Sequence, residues 1–116
     1  MLDAAREALT FIRNKTRADI DRDRLLALGL MKSIEIIGEA ASKVSRESRA
    51  SYIEIPWQDV IGMRNRLIHA YADVDPDILW ETVTEDLPSL IPVLETIIAD
   101  QDPQLLVVLG DRGSWE

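Results

Sequence analysis

Arg64, Asn65, His69 and Tyr71 fall within eight consecutive residues, Arg64-Asn65-Arg66-Leu67-Ile68-His69-Ala70-Tyr71. An arginine carries a fixed charge on a planar fork that suits phosphate. A histidine titrates near neutrality and can take or give a proton at cellular pH. The amide and the phenol add an orienting group and a hydroxyl. Each residue also has an ordinary reading: Arg64 as half of an internal ion pair, His69 as a helix-end histidine, Tyr71 as a core tyrosine with its hydroxyl at the edge. His69 is the only histidine and there is no cysteine. Multi-histidine zinc sites, thiolate metal sites and disulfides are therefore excluded, and no metal or cofactor is expected.

Helices must position these groups. Leu2, Ala5, Leu9 and Ile12 recur at helical spacing and predict a first helix ending near Asn14. Lys15–Asp23 reads as a connection, with Asp19 or Asp21 as the cap of the next helix. That long second helix runs to about Arg46, with Leu26, Leu30, Ile34, Ile37, Ala41 and Val44 as its core stripe. Leu25, Leu28, Met31 and Ile36 widen that stripe and suggest a helix touched on more than one side. Its polar stripe is Lys32, Glu35, Glu39, Lys43 and Arg46. Glu47–Ile55 reads as a loop, and Pro56 opens a third helix reaching about Ala70. Asp75-Pro76-Asp77 starts a fourth, buried through Ile78, Val83, Leu87, Leu90, Leu94 and Ile97, which Pro88 and Pro92 should kink or split. The expected fold is an all-α, antiparallel four-helix bundle over residues 1–100, followed by a tail at 101–116.

A wheel at about 100° per residue with Trp57 at zero divides the loaded stretch. Val60, Ile61, Leu67 and Ile68 lie within about 80° of Trp57 and form the expected buried stripe. Arg64, at about 340°, falls in its middle, with Tyr71 nearly above it. Asn65 and His69 share another face, at about 80° and 120°, and Arg66 points away at about 180°. Arg64 and His69 are thus about 140° apart. A distorted helix end or a second subunit must bring them to one point.

Arg64-Asn65, three residues, then His69-Ala70-Tyr71 resembles the arginine–polar–x3–histidine motif of HEPN superfamily ribonucleases, in the Arg-x4-His-x-Tyr form of HepT-like toxins. Ile36-Ile37-Gly38-Glu39-Ala40-Ala41, Ile55-Pro56-Trp57, Ile61-Gly62-Met63 and Asp86-Leu87-Pro88 supply a matching frame. The resemblance covers roughly residues 2–100; the tail lies outside it. It implies metal-independent RNA cleavage by attack of the ribose 2′-hydroxyl on the adjacent phosphate. His69 would move the proton, Arg64 would stabilise charge on phosphorus, and Asn65 would orient His69 or the phosphate. It further implies a homodimer, and a partner nucleotidyltransferase antitoxin that adds AMP to Tyr71. Glu39, on the second helix, is a minor candidate partner for Arg64, and Arg66 a contact for backbone phosphate or a solvated residue.

Charge bears on the choice between readings. The net charge is −8, an awkward balance for RNA binding. Residues 1–71 balance at +2, however, so the acidity lies in the C-terminal third. The overall acidity favours an alternative, a non-catalytic nucleotide-binding helper subunit of a nucleotidyltransferase. A site-free structural dimer is a third reading. The intact Arg64, Asn65 and His69 set favours the ribonuclease. No apolar run approaches the roughly 20 residues of a membrane span, and Met1–Lys15 is amphipathic and acid-bearing, so the cytoplasm is the expected location.

Overall fold

In a computed structural model, residues 1–67 and 74–99 are described, and all of their regular elements are helical. Helix α1 is Leu2–Phe11, α2 Arg17–Arg22, α3 Arg24–Ser42, α4 Arg46–Ser51, α5 Trp57–Leu67, α6 Pro76–Glu81 and α7 Leu87–Ala99, with a π-helical turn at Thr82–Asp86 joining the last two. The expected four-helix frame is present as α1, α3, α5 and the α6–α7 unit. Two short helices, α2 and α4, occupy segments read from sequence as a connection and a loop.

Both short helices owe their existence to capping groups. Asp19 accepts from the Thr16 backbone N–H at 2.6 Å and from its hydroxyl at 3.2 Å, which fixes the start of α2 and lowers the Asp19 pKa. Asp19 is thus a residue of the first turn, and Asp23 is the cap of α3, accepting from Leu26 N–H at 3.0 Å. Ser45 caps α4 through the N–H of Ser48 at 3.1 Å.

Helix α3 is the central element, packed against both α1 and α5. Leu30, Ile34, Ile37 and Ala41 are fully buried along it. Ala4, Ala5 and Ala8 keep the facing side of α1 small, which lets the two helices approach. Leu79, Val83, Leu87, Leu94 and Ile97 close the core from the fourth unit. Two residues expected to widen the α3 stripe do not: Leu25 is 81% exposed and Leu28 49%. Both lie on the side of α3 opposite the Leu30–Ile34–Ile37 stripe, where no described helix covers them.

Asp75 starts α6 by accepting from Asp77 and Ile78 N–H groups, with Pro76 in the first turn as expected. The fourth unit is split, but one turn before the first proline. Leu87 N–H donates to Thr82 O, five residues back. Pro88 has no N–H, and its ring would strike the Thr84 carbonyl in a regular α-helix. The widened turn just ahead of it avoids that clash, and α7 then continues through Pro92.

Candidate active site

The site is built on the seam between α3 and α5. Gly38 is buried there: a Cβ at this position would meet the Ile61 carbonyl at 3.4 Å and the Val60 carbonyl at 3.5 Å. The two backbones are close enough here that nothing larger than a methyl group fits between them. Above that contact is a cleft of about 260 Å³ lined by Glu35, Gly38, Glu39, Ser42, Ile61, Arg64 and Asn65.

Helix α5 presents this lining because its buried face is Trp57, Val60, Met63 and Leu67. On the wheel those residues centre at about 290°, not on Trp57. Arg64 is consequently beside the core stripe, not in its middle, and its side chain is 47% exposed. Two residues rotate the stripe: Met63 is buried in it, and Ile61, counted in it from sequence, is only half-buried and lines the cleft, so Arg64 falls about 50° from its centre. The partner of Arg64 is Glu35, with Nε 3.5 Å from Oε1. Glu39, the acid named from sequence, lines the same cleft one turn further along α3 and makes no ion pair with Arg64. Glu35 stands on the polar stripe of the second helix, where its spacing alone does not single it out.

Asn65 is exposed and shares the cleft with Arg64, so the two neighbours assigned to separate faces meet in one depression. Arg66 is on the other flank of α5. Its Nη2 donates to the Asp59 carbonyl at 3.4 Å, and it borders a separate groove against α7. His69 and Tyr71 lie outside the described residues. Their flanks are held together: Asp75 N–H donates to the Leu67 carbonyl at 2.7 Å.

The far end of the seam is fixed by Arg49. Its Nε donates to Val44 O at 3.0 Å, and its Nη2 to Ala41 O at 3.3 Å and Ser42 O at 3.1 Å. These carbonyls end α3, where a cation also complements the helix dipole. The carbonyls of Arg49 and Tyr52 in turn accept from Trp57 Nε1 at 3.2 and 3.1 Å, tying the start of α5 to the end of α3.

Among the described residues no helix is long and apolar enough to cross a membrane. The sequence profile of the family described as "Ribonuclease HepT-like" matches residues 1–97. The chain is 39% identical over 93 residues to "Probable ribonuclease HepT" of Thermococcus cleftensis, covering 77% of this chain and 84% of that protein. It is 36% identical over 80 residues to a protein of Caldanaerobacter subterraneus subsp. tengcongensis provisionally named an RNase, covering 69% and 71%. A Methanocaldococcus jannaschii relative, also provisionally named an RNase, is 28% identical over 97 residues, or 84% and 89% of the two chains. No solved structure gives a significant match. The α-helical frame and these relatives agree, and the chain belongs to the ribonuclease HepT-like family of RNA nucleases.

Proposed function

We propose that the chain is a toxin endoribonuclease that cleaves RNA by 2′-hydroxyl attack and is neutralised by a nucleotidyltransferase antitoxin. The observation that carries this reading is the setting of Arg64. Its Nε faces Glu35, while among the described residues its terminal nitrogens have no hydrogen-bond partner, so both are free to meet a phosphate at the mouth of the cleft.

In the reaction the ribose 2′-oxygen bonds to phosphorus and loses its proton, and the 5′-oxygen of the next nucleotide leaves and gains one. RNA supplies its own nucleophile. His69 moves the protons, Arg64 balances the extra negative charge of the pentavalent species, and Asn65 orients the phosphate or the imidazole. The products are a 2′,3′-cyclic phosphate and a 5′-hydroxyl. Residues 1–100 serve as the catalytic unit, with 101–116 as an appended tail.

A homodimer completes the site in this reading. Leu25 and Leu28 stand exposed on the side of α3 that also carries Glu35 and Glu39, which supports an interface beside the cleft. AMP added to Tyr71, seven residues on from Arg64 in the sequence, would add bulk and negative charge that compete with substrate phosphate. Such an antitoxin would work in the cytoplasm, where the RNA is.

The deciding experiment is incubation with bulk RNA in the presence of a chelator. Fragments ending in 2′,3′-cyclic phosphate are expected from wild type and not from His69→Ala. Undiminished cleavage by the variant would remove His69 from the mechanism. Intact mass after co-expression with a nucleotidyltransferase of the antitoxin type should show an added AMP that Tyr71→Phe abolishes.

A further inference from the structure

The two ends of the α3–α5 cleft differ in chemistry. At one end Arg64 sits against Glu35. In the middle the floor is apolar and low, made of Ile61 and of Gly38, which has no side chain to rise from it. At the other end are Glu39 and Ser42. The Ser42 hydroxyl spends its proton on the Glu39 backbone carbonyl at 2.7 Å, so its oxygen offers only lone pairs to the cleft. The Glu39 carboxylate is exposed and has no hydrogen bond or ion pair among the described residues. It follows Glu35 by four residues, about 6 Å along the helix. The cleft therefore offers a cation, then a flat apolar floor, then a wall of acceptors.

That order matches the parts of a nucleotide: phosphate, ring face, ring edge. We propose that Glu39 reads the nucleobase beside the phosphate held by Arg64, favouring guanine and rejecting uracil. The inference rests on the ribonuclease reading only for the identity of its ligand. Guanine places N1–H and an N2 amino hydrogen side by side, matching the two oxygens of one carboxylate. Adenine and cytosine offer an amino group next to a ring acceptor, so one carboxylate oxygen faces a lone pair. Uracil offers N3–H between two carbonyl oxygens, both of which repel a carboxylate. Unstacked bases of single-stranded RNA present this edge, and the Gly38–Ile61 floor gives the ring a surface to lie on.

The test uses uridine pentamers carrying 2′-O-methyl groups, which cannot supply the attacking hydroxyl, with the central base replaced in turn by guanine, adenine or cytosine. Binding is followed by fluorescence anisotropy for wild type and Glu39→Gln. Wild type should prefer the guanine pentamer to the all-uridine one by about 5- to 100-fold, with adenine and cytosine between. Glu39→Gln, an exposed isosteric change on a helix surface, should melt like wild type and lose most of that ratio. Removing a negative charge can strengthen binding to every pentamer, so the ratio between bases is the readout. Equal affinities in wild type, a guanine preference that survives the substitution, or no measurable binding of the guanine pentamer would each overturn the proposal. Failure of the unblocked RNA to be cleaved, with the binding preference intact, would count against the ribonuclease reading alone.

Discussion

Arg64 Nε lies 3.5 Å from Glu35 Oε1, across the seam between α5 and α3, and both side chains are partly exposed. A pair this open contributes no more than about 1 kcal/mol to stability, so its value is in direction. Holding Nε aims the two terminal nitrogens of the fork at one place.

Glu35→Gln should therefore leave the melting temperature nearly unchanged while lowering kcat/KM on RNA by about five-fold, as Arg64 samples more orientations. Arg64→Lys keeps the charge and loses the fork, and should cost about 100-fold, chiefly in kcat. Steady-state kinetics on one oligonucleotide, beside a thermal melt of each variant, checks both. A Glu35→Gln protein that melts many degrees lower would show that the contact is structural.

Gly38 tests whether the spacing of the seam matters. An alanine Cβ would sit 3.4 Å from the Ile61 carbonyl, an ordinary contact, and alanine favours a helix over glycine by up to about 1 kcal/mol. Gly38→Ala should fold at least as stably as wild type. Gly38→Leu has nowhere to put its side chain except between α3 and α5 or up into the cleft. It should lower stability by about 1–3 kcal/mol and depress cleavage far more than Gly38→Ala does. Urea unfolding and RNA cleavage assays on the two variants separate the effects.

The helical frame was legible in the sequence because its strongest signals were long and periodic. The stripe Leu26, Leu30, Ile34, Ile37, Ala41 and Val44 is buried throughout, as is the run from Val83 to Ile97 at its predicted positions. The errors arose where one or two hydrogen bonds decide the structure. Helices α2 and α4 exist by virtue of Asp19 and Ser45, and six-residue helices carry too little periodicity to reveal themselves. The site suffered from a small angular error. Counting Ile61 in the α5 stripe and leaving out Met63 centred it near Trp57 and put Arg64 inside it. Once Arg64 is at the edge, its reach selects Glu35 over Glu39, a choice between adjacent turns of α3 that no one-dimensional pattern resolves.

Arg49 joins three backbone carbonyls at the end of α3 and, through its own carbonyl and Trp57 Nε1, the start of α5. Arg49→Ala leaves these acceptors to water and loosens this end of the seam, while the backbone carbonyl that accepts from Trp57 Nε1 is retained. A loss of about 1–3 kcal/mol is expected in chemical denaturation, with Arg49→Lys recovering only part because one ammonium cannot reach all three carbonyls. Full recovery by lysine, which keeps the stem, would show that packing of the arginine stem, not its fork, does the holding.

Leu25 and Leu28 provide the test of the dimer. Each is a large apolar side chain on the first two turns of α3, exposed to 81% and 49%. Removing them from the surface should cost the isolated fold little, because neither packs in the core. Leu25→Lys combined with Leu28→Lys should therefore leave the helical circular dichroism near wild type and lower the melting midpoint only by what association adds. In sedimentation at micromolar concentration the wild type is expected as a dimer and the double variant as a monomer, since two like charges at a buried apolar contact cost several kcal/mol. If the site needs both subunits, RNA cleavage should fall in parallel and return at protein concentrations high enough to restore association. A double variant that remains dimeric would move the interface to another face of the bundle, and a monomer with full activity would show that one chain is sufficient for cleavage.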